Sequence, residues 1–163
     1  MSVSKKEVLL RFRDSGVIPV FYHPDVDILM RIVSICYHSG SRVFDRCLRV
    51  YEFMHQRAYR GLRFFMHLNE QLDQFPGIVP GVGTVLDAPM TERYVRTGAQ
   101  FIASPFLRPD RGRECEENDI WMPVCATVGE MNHADELHTE AINVLPGNVL
   151  GFEIHSAHRQ TVP

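Results

Sequence analysis

The chain is nearly without lysine: Lys5 and Lys6 are its only two, against 15 arginines among 163 residues. Chemistry that needs an internal amine must use one of two side chains near the N-terminus. Long apolar runs are missing too. None approaches the roughly 20 residues that span a bilayer, and the opening Met-Ser-Val-Ser-Lys-Lys is no secretory leader, so no membrane is expected as a partner. The four cysteines, Cys36, Cys47, Cys115 and Cys125, lack CxxC spacing. They argue against a zinc site or a disulfide framework and fit a reducing cytoplasm. A formal net charge of −3 leaves no strongly basic surface for nucleic acid, and the arginines of 108–113 are interrupted by Asp110 and followed by Glu114, as on a solvated helix face. Eight histidines invite a metal reading, with His133 and His138 five apart and His55 near Glu52. No HExxH or carboxylate–His pattern gathers them, so no metal or other cofactor is expected.

What is present is an ordinary globular mixture, 45% apolar and 23% charged, arranged in a repeating alternation. Residues 4–15 have the spacing of an amphipathic helix with Val8, Leu9 and Phe12 on one side, ended by Gly16. Residues 17–22 form an apolar run suited to a buried strand. The spacing predicts a helix over 24–38, with Gly40 as its cap, a strand within 42–54 and a helix over 58–74 that stops at Pro76-Gly77. Strands are expected at 78–82, 101–103, 120–122 and 141–145. Helices are expected at 88–97, 110–117, 128–138 and 149–159. Strands alternating with helices imply βαβ units and a parallel sheet. A closed (β/α)₈ barrel takes about 250 residues and rarely fewer than about 200. The expected fold is therefore α/β, a TIM-barrel-like (β/α) repeat with about six of eight units, an incomplete barrel in a single domain over 1–163.

Five segments carry a resemblance: Gly16-Val-Ile-Pro-Val-Phe-Tyr22, Gly81-Val-Gly-Thr-Val-Leu86, Gly98-Ala-Gln-Phe-Ile-Ala-Ser-Pro105, Met122-Pro-Val-Cys-Ala-Thr-Val-Gly-Glu130 and Ile142-Asn-Val-Leu-Pro146. In order and spacing they resemble the KDPG/KHG aldolases, class I aldolases that cleave 2-keto-4-hydroxy acids to pyruvate and an aldehyde. The resemblance runs from about residue 5 to 155. It implies a strand lysine that forms a Schiff base with the keto group, a glutamate that moves protons through water, an arginine that clamps the carboxylate, a keto-acid ligand and a homo-trimer. Carried over, Thr84 matches the family's threonine and Pro105 its Ser-Pro turn beside the pyruvate pocket. Gly81 and Gly83 read alone are turn glycines after a strand.

The acid has two candidates. Ser39-Gly-Ser-Arg-Val-Phe-Asp45 fits the approach to the family's glutamate with Asp45 in its place, and Leu48-Arg-Val-Tyr-Glu-Phe53 repeats it seven residues on. Residues 42–48 and 49–55 resemble a local tandem duplication. Glu52 is favoured, because the following helix continues in register from it. Arg57 is then the arginine, five residues away where the family has four.

Three departures bear on activity. Asn143 stands where the family has its Schiff-base lysine, and an amide nitrogen, its lone pair delocalised into the carbonyl, forms no imine. Val124 stands where the family has a glycine and crowds the pocket. The chain also ends before the family's last two βα units, whose glycine-rich turns bind substrate phosphate. The resemblance implies an aldolase. By its residues the chain is expected to be a non-catalytic remnant or binding protein of the same fold.

Overall fold

Short apolar segments separated by capped amphipathic helices give the order α1 (Lys5–Ser15), β1 (Val20–Phe21), α2 (Val26–His38), β2 (Val43–Cys47), α3 (Ala58–Leu72), β3 (Val79–Gly83), α4 (Ala88–Arg96), β4 (Phe101–Ser104), β5 (Ile120–Cys125), α5 (Val128–Glu136), β6 (Asn143–Val144), α6 (Gly147–Leu150) and α7 (Glu153–Thr161). The computed structural model describes residues 4–47, 58–108 and 120–161. Side-chain caps fix several helix starts: Ser4 for α1, Asp25 for α2, Asp87 for α4, and for α5 a capping box in which Thr127 and Glu130 bond each other's backbone N–H. Gly16 closes α1 at φ 65°, a left-handed conformation that glycine adopts without a Cβ clash.

The six strands form one parallel sheet in sequence order, β1 to β6, curled into a half-barrel with helices on its outer side. Alternation along each strand sets which side chains face inward. Val43, Val79, Phe101 and Ile120 meet Val8 of α1 inside, with Leu9, Phe12, Ile18 and Ala141 packed around them. Helix α1 thus plugs the N-terminal end of the barrel, the Phe12 ring standing edge-on to Phe101 at 5.1 Å. The outward residues hold the helices: Phe44 packs with Val33 and Leu72, Val82 and Ile102 with Phe65 and Tyr94, and Cys125 with Met131 and Ala134.

The expected alternation is present, with three differences. The edge strands are shorter than the apolar runs that encode them, two residues each, because an outermost strand has a neighbour on one side alone. The helix expected over 149–159 is two, α6 and α7, broken at Gly151 with φ 65°. Gly81 and Gly83 lie within β3 rather than in a turn. A Cβ at Gly81 would run into the Phe101 ring, and one at Gly83 would stand 2.6 Å from the Asp45 carboxylate oxygens. The helix expected over 110–117 lies outside the described residues. Among the described residues no helix is long and apolar enough to cross a membrane.

Candidate active site

The C-terminal ends of the strands carry the polar residues. Strand β2 supplies Asp45, inward by the alternation that turns Val43 in and Phe44 out, and in register with Val20 on one side and Gly81 on the other. The residue is 4% exposed. The next residue, Arg46, is as buried but faces the helix layer, its guanidinium 4.6 Å from the Phe64 ring and 5.9 Å from the Tyr22 ring. Arg46 thus points away from the Asp45 carboxyl, which lies on the inner face. Desolvation raises the Asp45 pKa from 3.8 to about 7, opposed by a hydrogen bond from the Gly83 N–H. Among the described residues its Oδ1 has no hydrogen-bond partner. A carboxyl with a pKa near neutrality and an open oxygen can give or take a proton at neutral pH.

Thr84 follows directly on β3. Its φ of 63° puts a β-branched residue in the left-handed region, at a cost of roughly 1–3 kcal/mol. The chain then returns to the sheet, where the Val85 N–H donates to the Ala103 carbonyl at 3.3 Å. Pro105 follows on β4, half-buried. Asn143 opens β6 and is also half-buried. Ala141 packs in the inner cluster and Ile142 and Val144 in the outer one, so Asn143 faces inward, beside Val124 of β5 in the strand register.

Thr84 and Pro105 thus follow the ends of β3 and β4, and Asn143 opens β6 level with Val124 near the end of β5. Glu52 and Arg57 lie outside the described residues. The strand expected somewhere in 42–54 is Val43–Cys47, so of the two acid candidates Asp45 is the one carried by a described strand. No local sequence signal marked it, because the glycine that leaves its carboxyl space, Gly83, lies on the neighbouring strand and is matched to it only through the register.

Among the described residues neither thiol nor metal chemistry gathers at this rim of strand ends. Cys125 faces the helix layer, and burial, with Glu130 and Asp135 nearby, pushes its pKa up to about 11, leaving it a protonated core thiol. Among the described residues no three His, Cys, Asp or Glu side chains converge. A cleft of about 490 Å³ opens at the other end of the strands, between α3 and α4, with Asn69, Phe75, Ile78 and Gln100 on its walls. It shares no residue with the rim.

The sequence model of KDPG and KHG aldolase matches residues 11–157. No curated protein matches the chain at a significant level. The 2-keto-3-deoxy-6-phosphogluconate aldolase of Zymomonas mobilis ZM4, solved with 3-phosphoglycerate, is similar in structure at a TM-score of 0.76 and 23% identity, over 96% of this chain and 72% of that one. The KDPG aldolase from Legionella pneumophila, solved with pyruvate captured as a covalent carbinolamine, gives 0.75 and 21%, over 94% and 70%. A thiamine phosphate pyrophosphorylase from Pyrococcus furiosus gives 0.66 at 11% identity, over 94% and 73%. A likeness at such identities shows the fold alone.

Proposed function

The chain belongs to the KDPG and KHG aldolase family, and from that membership we propose that it binds a pyruvate-like 2-keto acid at the rim of its half-barrel without cleaving an aldol. The observation that carries this reading is Asn143, inward on β6 at the position where the resemblance sets the imine-forming lysine. In aldol cleavage the amine lone pair attacks the keto carbon and water leaves. The resulting iminium then takes up the electron pair of the breaking carbon–carbon bond. The Asn143 amide donates a hydrogen bond to a keto oxygen and polarises the carbonyl, but it makes no cation. Neither lysine substitutes for it. Both belong to α1, which plugs the opposite end of the strands, and Lys5 is paired with Glu140 at 2.6 Å.

Around the ligand the roles follow from the residues. Asp45, protonated in part near neutrality, donates to a ligand oxygen or moves a proton. The Thr84 hydroxyl is a second polar contact, and Pro105 walls the site. Glu52 and Arg57 complete it as acid and carboxylate clamp if the second copy of the 42–55 repeat reaches the rim, in which case Asp45 is the supporting carboxyl. Two features support association of the chain with itself: among the described residues β1 and β6 are the edge strands, and Val20, Leu145, Val149 and Phe152 are 45–87% exposed near them. Sedimentation as a stable monomer at micromolar concentration would remove that part.

The test uses the unmodified protein with pyruvate and borohydride, which reduces an imine to a permanent adduct read by mass spectrometry. It is run beside a coupled assay for pyruvate release from KDPG and KHG. The expected result is saturable pyruvate binding by ligand-observed NMR, no adduct and no release above background. Turnover together with an adduct on Lys5 or Lys6 would overturn the reading. Asn143→Lys alone is expected to trap some pyruvate without restoring full cleavage.

A further inference from the structure

We infer that Val124 sets the length of 2-keto acid that the rim accepts, an inference that rests on the keto-acid reading above. Strand β5 alternates strictly. Ile120 and Met122 pack inward with Val8 and Phe101, while Cys125 packs outward on Met131 and Ala134. Val124 between them faces inward. Its register partner on the neighbouring strand is Asn143, inward by the alternation of β6. Paired strands lie about 4.8 Å apart, so the Val124 isopropyl group stands beside the Asn143 amide on the same face. The position below it on the same face, Met122, is 8% exposed and belongs to the closed core. Val124 is half-buried, breaking the otherwise buried pattern of its strand, and so forms part of the mouth's wall.

A keto acid whose oxygen lies against Asn143 has its carbon tail next to this wall. Pyruvate ends in one methyl group. Each further methylene meets a β-branched side chain with few rotamers to yield into, backed by the closed core beneath it. The ligand class is thus the shortest unbranched 2-keto acids, with β5 setting the limit.

Pyruvate, 2-oxobutanoate and 2-oxopentanoate are titrated into the unmodified protein and into Val124→Ala and Val124→Gly, with binding followed by ligand-observed NMR and folding by thermal unfolding. Affinity in the unmodified protein is expected to fall about tenfold or more from pyruvate to 2-oxopentanoate, the scale of a methylene mismatch in a pocket. The fall should shrink in Val124→Ala and vanish in Val124→Gly. Val124→Ala keeps a Cβ and carries the comparison if the glycine variant unfolds. The same length dependence in every folded variant overturns the inference and leaves the keto-acid reading standing. Failure of all of them to bind pyruvate overturns both.

Discussion

At the N-terminal ends of the strands the inward positions are Val43, Val79, Phe101 and Ile120, sealed by Val8 from α1. At the C-terminal ends the inward positions are Asp45, Gly83, Val124 and Asn143. The two ends belong to the same strands and are a few residues apart, yet one is a closed apolar plug and the other holds a buried carboxyl and a strained threonine. Parallel strands explain the division, because every strand ends at the same rim and whatever is placed there is gathered. Stability is concentrated at the plug, and the rim carries features that cost stability.

Substitutions at the two ends should therefore have opposite signs. The largest effect is expected from Phe101→Ala, which empties the ring that fills the space over Gly81 and touches Phe12. Urea unfolding should show a loss of about 3–5 kcal/mol, as for other buried aromatics. A loss under about 1 kcal/mol would mean that α1 is not the plug described.

Asp45→Asn comes next and concerns pH. The folded pKa of Asp45, about 7, lies above the ordinary 3.8. The folded state thus holds the proton more tightly, and the stability linked to it is complete below about pH 4 and lost as pH rises through 7. On linkage this is on the order of 4 kcal/mol between those limits. Unfolding of the wild type should weaken across that window, whereas Asp45→Asn should be flat through it and more stable at pH 8. Parallel curves for the two proteins would show that Asp45 is not buried uncharged.

Thr84→Gly should stabilise the fold by about 1 kcal/mol by relieving the left-handed strain, read as a rise of a few degrees in thermal midpoint, while weakening pyruvate binding. Tighter binding in that variant would remove Thr84 from the site. The smallest effect is expected at Lys5→Met. Its ion pair with Glu140 is partly exposed, and such pairs contribute about 0–1 kcal/mol. The variant should keep its stability within that range and bind pyruvate as the wild type does.

The repeat was legible in the sequence because it is local. Val8, Leu9 and Phe12 share a helix face by spacing alone, and six apolar runs between capped helices imply a parallel sheet before any contact is known. The missing internal lysine is likewise a fact of composition that no tertiary arrangement can repair. The acid was less legible, since Asp45 and Glu52 occupy equivalent places in a seven-residue repeat and local pattern cannot choose between them. Strand register bears on that choice, and register is a property of two chain segments at once: Asp45 enters the interior because β2 pairs with β3 so that Gly83 leaves room for its carboxyl. The glycines show the same limit, reading as a turn in one dimension and as clearance for Phe101 and Asp45 in three. What the sequence determined by itself was the alternation and the poverty in amines, both properties of neighbouring residues or of composition. Which side chains share the rim, and that an aspartate there is buried, was decided only when the strands came together, because burial and register depend on residues far apart in the chain.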